Sequence, residues 1–432
     1  MFVTATSSPA ARVSAPNARS RCSQRAVARA ASSPASTSTR RVDDENENAS
    51  SSVEFILATL GAATTCACGT NADGVRGLFA SRDVRRGETL LEASLDAHAV
   101  VDDPSGDAPW SRQLARRLVE ERRRASTDFM RRYVSSLPQM GDGPAIGLAN
   151  DARCVEALRD VWDCTEAVAD MTTFARQIED SFALERALDS SLSEDEWRWA
   201  VSLVHSRTFR LEDERGRRPT RRALVAGADL INHSSVPEDV NCDWVANDAD
   251  VFVISATKDV RKGEEFFLSY GEQCDRHFAL FYGFLPRRNS FNRVKLFNNG
   301  REALDWYRKL CGADAADDIW NRESERVVKM VCDKYGKYTL DEKSGLRRRV
   351  IQDLYLGEGC VVSDSMLLLF NEMCGDEEMA IAAIRTRAEE LKTKMVSATG
   401  KIETGIAVLD AYSQGLVRDY RSRKIDILDA VI

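Results

Sequence analysis

The chain has 432 residues, 43% of them hydrophobic and 30% charged, enough for more than one domain with a sizeable core. No run of about 18 apolar residues occurs, which excludes a transmembrane helix. The net charge of −8 argues against a protein built to grip nucleic-acid backbone.

Residues 1–41 contain seven Arg, ten Ala and nine Ser, but no Asp or Glu. Such a segment cannot bury enough apolar surface to offset its chain entropy. Arg-rich, Ser-rich and acid-free, it reads as an organelle transit peptide, and its Ser, Thr and Pro content leans toward a chloroplast over a mitochondrion. An acidic and Ser-rich linker is expected at 42–52, with folded structure from Val53. From there to Val101 a short helical start gives way to strands, among them Leu78-Phe79-Ala80 and Thr89-Leu90-Leu91-Glu92. A turn-rich loop, Gly69 to Gly77, and the tight turn Arg86-Gly87-Glu88 punctuate them.

The period then changes. Trp110, Leu114 and Leu118 share a helical face, Phe129, Tyr133 and Val134 continue at helical spacing, and Pro138 stops them. Ser193 and Glu196 form a capping-box pattern that opens a helix through Trp197 and Val204. Strands return at Asp250–Thr257 and Glu265–Tyr270, separated by the turn Arg261-Lys262-Gly263. From about residue 300 the chain reads as helical to its end, with stripes such as Leu304, Tyr307 and Cys311, and Ile384, Ala388, Leu391 and Met395. The expected organisation is therefore α+β: a β-rich domain over 53–288, split by a helical insert at about 104–198, followed by an all-helical lobe over 289–432.

Several chemistries lack their residues. There is no phosphate-cradling GxxxxGK[ST] or GxGxxG, no HExxH and no GxSxG. The eleven cysteines are scattered and odd in number, so they read as reduced thiols. Cys66 and Cys68 have no second Cys or His pair nearby, so no metal site is expected. Four segments stand out from ordinary core. The first is the loop Asp73-Gly74-Val75-Arg76-Gly77. The second, His205-Ser206-Arg207-Thr208-Phe209, places an Arg at a helix end, where its fork can meet a carboxylate. The third, Asp229-Leu230-Ile231-Asn232-His233-Ser234, packs an acid, an amide and an imidazole among apolar neighbours. The fourth, Phe266-Phe267-Leu268-Ser269-Tyr270-Gly271 followed by Phe281-Tyr282-Gly283-Phe284, sets two phenols at the ends of apolar runs.

In this order the segments resemble the SET-domain methyltransferases, whose defining pair is Asn-His-Ser and Ser-Tyr-Gly. The resemblance is nearest to the branch typified by plastid Rubisco large-subunit lysine methyltransferase, which splits its SET domain with a helical insert and ends in a helical substrate-binding lobe. It covers residues 53 to about 290, and the C-terminal lobe by position and helicity only. It implies S-adenosyl-L-methionine (AdoMet) as cofactor, bound by Gly74, Val75, Arg76, Arg207, Asn232 and His233. Tyr270 is the implied catalytic phenol beside the transferring methyl. Asp229, Trp244 and Tyr282 are the implied substrate-binding residues, with Trp244 where the plastid enzymes carry a further Tyr. Cys274-Asp275-Arg276-His277 departs from the family, which often has an Asn shortly before Tyr-Gly-Phe.

The resemblance further implies a monomeric enzyme acting on a protein lysine, in the stroma of the chloroplast, on a substrate such as Rubisco large subunit or fructose-bisphosphate aldolase. No nucleic-acid or membrane partner is expected. Two alternatives keep the fold. One is a protein-histidine N-methyltransferase, since a related branch methylates a histidine of actin, although a transit peptide speaks against actin. The other is a catalytically inactive SET-like module that binds a protein. The Arg-rich run Arg215 to Arg222 reads as a solvated loop.

Overall fold

The computed structural model describes residues 39–139, 147–149, 152–159, 165–212, 219–314, 316–340 and 347–431. The acid-free segment lies outside the described residues up to position 38, as does the Arg-rich run as far as Arg218. The first helix, α1, spans Thr39–Thr59. It therefore runs through the stretch expected as a linker. Its last turns explain why: Val53, Ile56, Leu57 and Leu60 recur at helical spacing and are all buried, and elongation from an anchored turn is cheap.

A β-hairpin follows, β1 (Cys66–Thr70) and β2 (Arg76–Ala80), in register from Cys66–Ala80 to Thr70–Arg76. Then come β3 (Thr89–Ser94), the single turn α2 (Leu95–His98) and β4 (Ala99–Val101). Among the described residues, five helices follow: α3 (Trp110–Arg123), α4 (Asp128–Ser136), α5 (Ala152–Arg159), α6 (Thr165–Leu188) and α7 (Glu194–Arg207). α7 opens as the capping box requires, with Ser193 Oγ accepting from the Glu196 N–H at 3.2 Å.

The chain then returns to the sheets through β5 (Thr208–Leu211), β6 (Arg221–Val225), β7 (Asn232–His233), β8 (Cys242–Ala246), β9 (Val251–Ala256) and β10 (Phe267–Leu268). The sheets are small: β3-β9-β8, β4-β6-β5 and the parallel pair β10-β7. Phe252, Ile254, Leu78, Leu91 and Trp197 are among the buried side chains that join them to the helices in one core.

The remainder comprises α8 (Asp275–His277) running into a π-turn at Phe278–Tyr282, β11 (Arg293–Phe297), α9 (Gly300–Leu310), α10 (Asp318–Tyr335), β12 (Lys337–Leu340), β13 (Arg347–Val350), β14 (Leu354–Gly357), β15 (Val361–Val362), α11 (Asp364–Cys374), α12 (Glu377–Ser397), α13 (Thr399–Ile406) and α14 (Ala411–Asp429). The mixed class stands, and the C-terminal lobe is mainly helical. It is not all helical: β11-β14-β15 and β12-β13 form two further sheets. A second core, with Phe297, Leu304, Phe370 and Ile384, lies here. α14 serves both cores, giving Leu416, Val417 and Tyr420 to the first and Ile427 and Leu428 to the second. Arg423 Nη1 on α14 meets buried Asp275 Oδ2 at 3.1 Å and donates to the Pro286 carbonyl at 2.7 Å, fixing α8 against the helix.

Candidate active site

Five residues, Asp229 to His233, form the hub on which the singled-out segments converge. Gly227 starts it. Its φ is +79°, a conformation that L side chains rarely adopt, and a Cβ there would lie 3.0 Å from Leu60 Cδ1. The resulting 3-10 turn, Ala228–Leu230, turns Asp229 inward. Arg207, the last residue of α7, reaches it from the opposite side. Its Nη1 donates to the Asp229 carbonyl at 2.9 Å and lies 3.5 Å from Oδ2. Tyr133 on α4 donates its hydroxyl to the same Oδ2 at 3.2 Å. Burial raises the Asp229 carboxyl above the usual range, and the Arg207 and Arg76 charges oppose that rise. Asp229 Oδ1 and Arg207 Nε are both buried without a hydrogen-bond partner among the described residues.

Asn232 secures the β1–β2 hairpin. Its Nδ2 donates to the Arg76 carbonyl at 3.0 Å and to Glu265 Oε1 at 2.7 Å. Glu265 Oε2 in turn accepts from Asn71 Nδ2 at 3.3 Å. This crowding requires a glycine at 77, because a Cβ there would lie 2.6 Å from Asn232 Nδ2 and collide with Glu265 Oε1. The loop before it is a self-bonded turn: Asn71 Oδ1 accepts from Val75 N at 3.0 Å, and Gly74 N donates to the Asn71 carbonyl at 3.0 Å. Gly74 and Val75 thus stand at the exposed hairpin tip with their N–H groups used inside the turn. Arg76 is what the hairpin brings to the hub, and its Nη2 donates to the Ser136 carbonyl at 2.8 Å.

His233 and Tyr270 are locked together. The Tyr270 N–H donates to His233 Nδ1 at 3.0 Å, so Nε2 carries the proton and donates to Ser235 Oγ at 2.6 Å. Burial lowers the His233 pKa to about 4, which keeps the ring neutral. The ring stacks on Phe278 at 4.7 Å and on Tyr270 at 5.1 Å. The Tyr270 hydroxyl donates to the Ile231 carbonyl at 2.7 Å, so its oxygen points into the hub shared with Arg207 and Asn232. Tyr282, at the end of the π-turn, lies 5.4 Å from Tyr270 between ring centroids. Burial raises both phenols, Tyr282 to about 12. Burial also holds His277 down at about 4; its ring packs 5.0 Å from Phe281 and 5.7 Å from Tyr282.

The SET domain family profile matches residues 75–271, from the tip of the β1–β2 hairpin to the glycine after Tyr270. The chain carries a SET domain. Its hub is the conjunction of Asn-His-Ser and Ser-Tyr-Gly, joined by the short parallel pairing of β7 with β10. Among solved structures, the SET domain of LSMT bound to lysine and AdoHcy superposes with a TM-score of 0.54 at 15% identity, covering 89% of this chain and 90% of that one. Rubisco LSMT bound to AdoMet gives 0.53 at 15%, with the same coverage. Among curated proteins, the actin-histidine N-methyltransferases of Mus musculus and Gallus gallus are 27% and 28% identical over 195 residues. Those alignments cover 42% of this chain and 31% of each relative, so the chain spans about a third of the length of the curated relatives it matches.

The fold thus brings together Arg76, Arg207, Asp229, Asn232, His233 and Tyr270 of the SET domain and Tyr282 of the π-turn that follows it. Trp244 stands apart. On β8 its ring stacks on Phe252 at 5.0 Å and meets Phe209 at 5.5 Å, and its aromatic contacts are with these two rings, not with the tyrosines. Sequence reasoning missed Tyr133 and Glu265. Tyr133 sat on an apolar helical stripe and read as core. Glu265 had one available signal, an acid at the mouth of the apolar run that leads to Tyr270.

Proposed function

We propose that this protein is an AdoMet-dependent protein N-methyltransferase whose acceptor is a lysine side chain of a chloroplast stromal protein. One observation carries the proposal: the Tyr270 hydroxyl and the Arg207 guanidinium both converge on the segment Asp229–His233, from which the Asn232 amide reaches out to the Arg76 carbonyl and Glu265.

The residues fit the cofactor. Arg207 keeps a buried, unpartnered Nε–H beside the hub, a donor suited to the cofactor's carboxylate. Arg76 and Asn232 hold the hairpin against that place, and His233 stacks behind Tyr270. When bound, AdoMet supplies a methyl on a positively charged sulfur. The chain's own contribution is to orient and to dry. Free lysine is only about 0.04% neutral at pH 7, and its amine must lose a proton before it can attack. The apolar wall of Phe278, Phe284, Tyr270 and Tyr282 disfavours the ammonium form. The Tyr282 hydroxyl has no hydrogen bond among the described residues and is offered to the incoming amine. No residue of the site need act as a strong base, since alignment of the reactants lowers the barrier by itself.

A histidine acceptor is the second reading, favoured by the likeness to the actin-histidine N-methyltransferases. The two differ in pH dependence. Turnover on a lysine rises with pH well beyond 8, because the neutral amine grows tenfold per unit. Turnover on a histidine levels off above about 7, because imidazole is already neutral there. The test is transfer of radiolabelled methyl from AdoMet into a stromal extract, with mass spectrometry of the labelled protein. Label on a lysine supports the proposal, label on a histidine replaces it with the second reading, and failure to bind AdoMet in calorimetry refutes both.

A further inference from the structure

Away from the hub, a polar cavity of about 180 Å³ is lined by Arg276, Arg293, Lys295, Gln352, Asp353 and Tyr355. Its charge is one-sided. The one carboxylate, Asp353, is taken by Lys337 Nζ at 2.6 Å. Arg276 shares Asp170, which lies 3.2 Å away. Arg293 and Lys295 have no carboxylate partner among the described residues. They stand two apart on β11 and so project to the same face of the strand. Tyr355 pairs with Lys295 across β14, and its ring lies under the Arg293 guanidinium at 4.7 Å. That stacking holds the guanidinium by its face and leaves its N–H edge open to the cavity.

Unpaired, half-buried cations on a protein of net charge −8 call for an anion. The cavity is smaller than the roughly 300–1,000 Å³ of sites for whole small molecules, and it has almost no apolar wall. It suits one acidic side chain. Its place in the chain says whose. Arg276 lies six residues after Tyr270 and six before Tyr282, beside His277, whose ring touches Tyr282. The buried Asp275–Arg423 pair fixes this segment to α14, and α14 is fixed to β11 by Lys424 Nζ, which donates to the Arg293 carbonyl at 2.6 Å. A side chain held here is therefore in rigid register with the two phenols.

We infer that the Arg276–Arg293–Lys295 cavity is a subsite for an Asp or Glu side chain of the protein substrate, seated at a distance from the methylated residue. The inference rests on the methyltransferase reading and names a chemical feature of its substrate: an acidic residue outside the target side chain. Arg293 and Lys295 clamp the carboxylate, and the interaction weakens with salt.

Binding tests it without methyl transfer. Calorimetry on the full chain uses the peptide acetyl-Gly-Glu-Gly-Glu-Gly-amide, its Gln counterpart and inorganic phosphate. The Glu peptide is expected to bind at least tenfold more tightly than the Gln peptide. The double variant Arg293→Gln, Lys295→Gln loses that preference, and Lys295→Arg keeps it. AdoMet affinity and the melting temperature stay the same in all three proteins, which separates loss of the subsite from loss of the fold. With a labelled substrate protein, the double variant raises KM at least tenfold and leaves kcat within twofold. Equal binding of Glu and Gln peptides, or an unaltered double variant, overturns the inference. So does phosphate binding with no response to the Glu peptide, which marks a free-anion site. Since the peptides need no methyl transfer, the subsite can fail while the enzyme assignment survives, and the reverse.

Discussion

Around Tyr270 burial holds Asp229, His233 and the two phenols toward their neutral forms, whereas beside β11 Arg293 and Lys295 stay without a carboxylate partner among the described residues. At the hub Tyr270 donates to a backbone carbonyl, and burial holds His233 neutral and pushes Asp229 toward its protonated form. The cavity at β11 keeps its charge at a half-exposed face, where water screens it. The difference matches the two tasks proposed above. Removing a proton from an amine requires a dry place, whereas capturing a carboxylate requires fixed positive charge at moderate cost. A single pocket could not do both well.

Acid breaks the dry side first. His205, His233 and His277 all have pKa values lowered to about 4 by burial, against 6.5 for a free ring. The unfolded chain therefore binds more protons than the folded one between pH 6.5 and about 4, and stability falls as pH drops through that window. His205, enclosed by Trp110, Phe174 and Phe281, alone contributes a slope of up to about 1.4 kcal/mol per pH unit. Urea midpoints measured from pH 7.5 to 5 should decline steadily. His205→Phe should reduce that slope, and a flat profile in the parent protein would show that the rings are not sequestered.

Removing Asp229 should come next in size. Asp229→Ala removes the carboxylate 3.5 Å from Arg207 Nη1, leaving that guanidinium only the carbonyl of residue 229, and takes away the Tyr133 acceptor. Breaking such a pair costs about 3 kcal/mol, the low end of the range because Arg207 is partly exposed. Chemical denaturation measures the loss, and AdoMet affinity should fall with it, since Arg207 is then held by the carbonyl of residue 229 alone. The cavity at β11 should still prefer the Glu peptide. Its survival would confirm that the two places are independent, and its loss would join them.

Tyr270→Phe is smaller and more selective. It removes the donor to the Ile231 carbonyl and the hydroxyl that the proposed function sets beside the transferring methyl. Turnover should drop at least tenfold, about 1.4 kcal/mol of barrier, with AdoMet affinity nearly intact. Single-turnover methyl transfer set beside calorimetry reads both quantities. Equal activity in the variant would mean that the phenol only packs.

What the sequence disclosed follows from the range of each interaction. The hub was legible because its chemistry sits in short runs: Asn232-His233-Ser234, Ser269-Tyr270-Gly271 and Arg207 at a helix end read as unusual without any contact map. Tyr133 acts through space on Asp229, 96 residues away, and Glu265 on Asn71 across 194. Neither separation leaves a local trace. The sheets of the C-terminal lobe were missed for another reason. β13 reads Arg-Arg-Arg-Val, with no alternation, and β12, Lys-Tyr-Thr-Leu, alternates over only four residues; strands so short are decided by their partners. The same blindness hid the β11 cavity, because Arg293 and Lys295 become a site only when β14 brings Tyr355 beneath them.

Trp244 gives the smallest expected effect and the sharpest test of where the dry region ends. The family resemblance placed it in the substrate channel; the structure stacks it on Phe252, with 15° between the rings. It also shares the inner face of β8 with Cys242, whose thiol donates to the Phe267 carbonyl at 3.2 Å. Seated there, the indole packs with Phe252 and Phe209 and makes no ring contact with Tyr270 or Tyr282. Trp244→Tyr preserves an aromatic stack at that place, so stability should change by less than about 1.5 kcal/mol, as for swaps of similar shape. Turnover and the number of methyls transferred should be unchanged, as read by mass spectrometry of the product. A tenfold change in rate, or a shift in methyl number, would place residue 244 on the substrate side of the sheet and extend the dry region from the two tyrosines to β8.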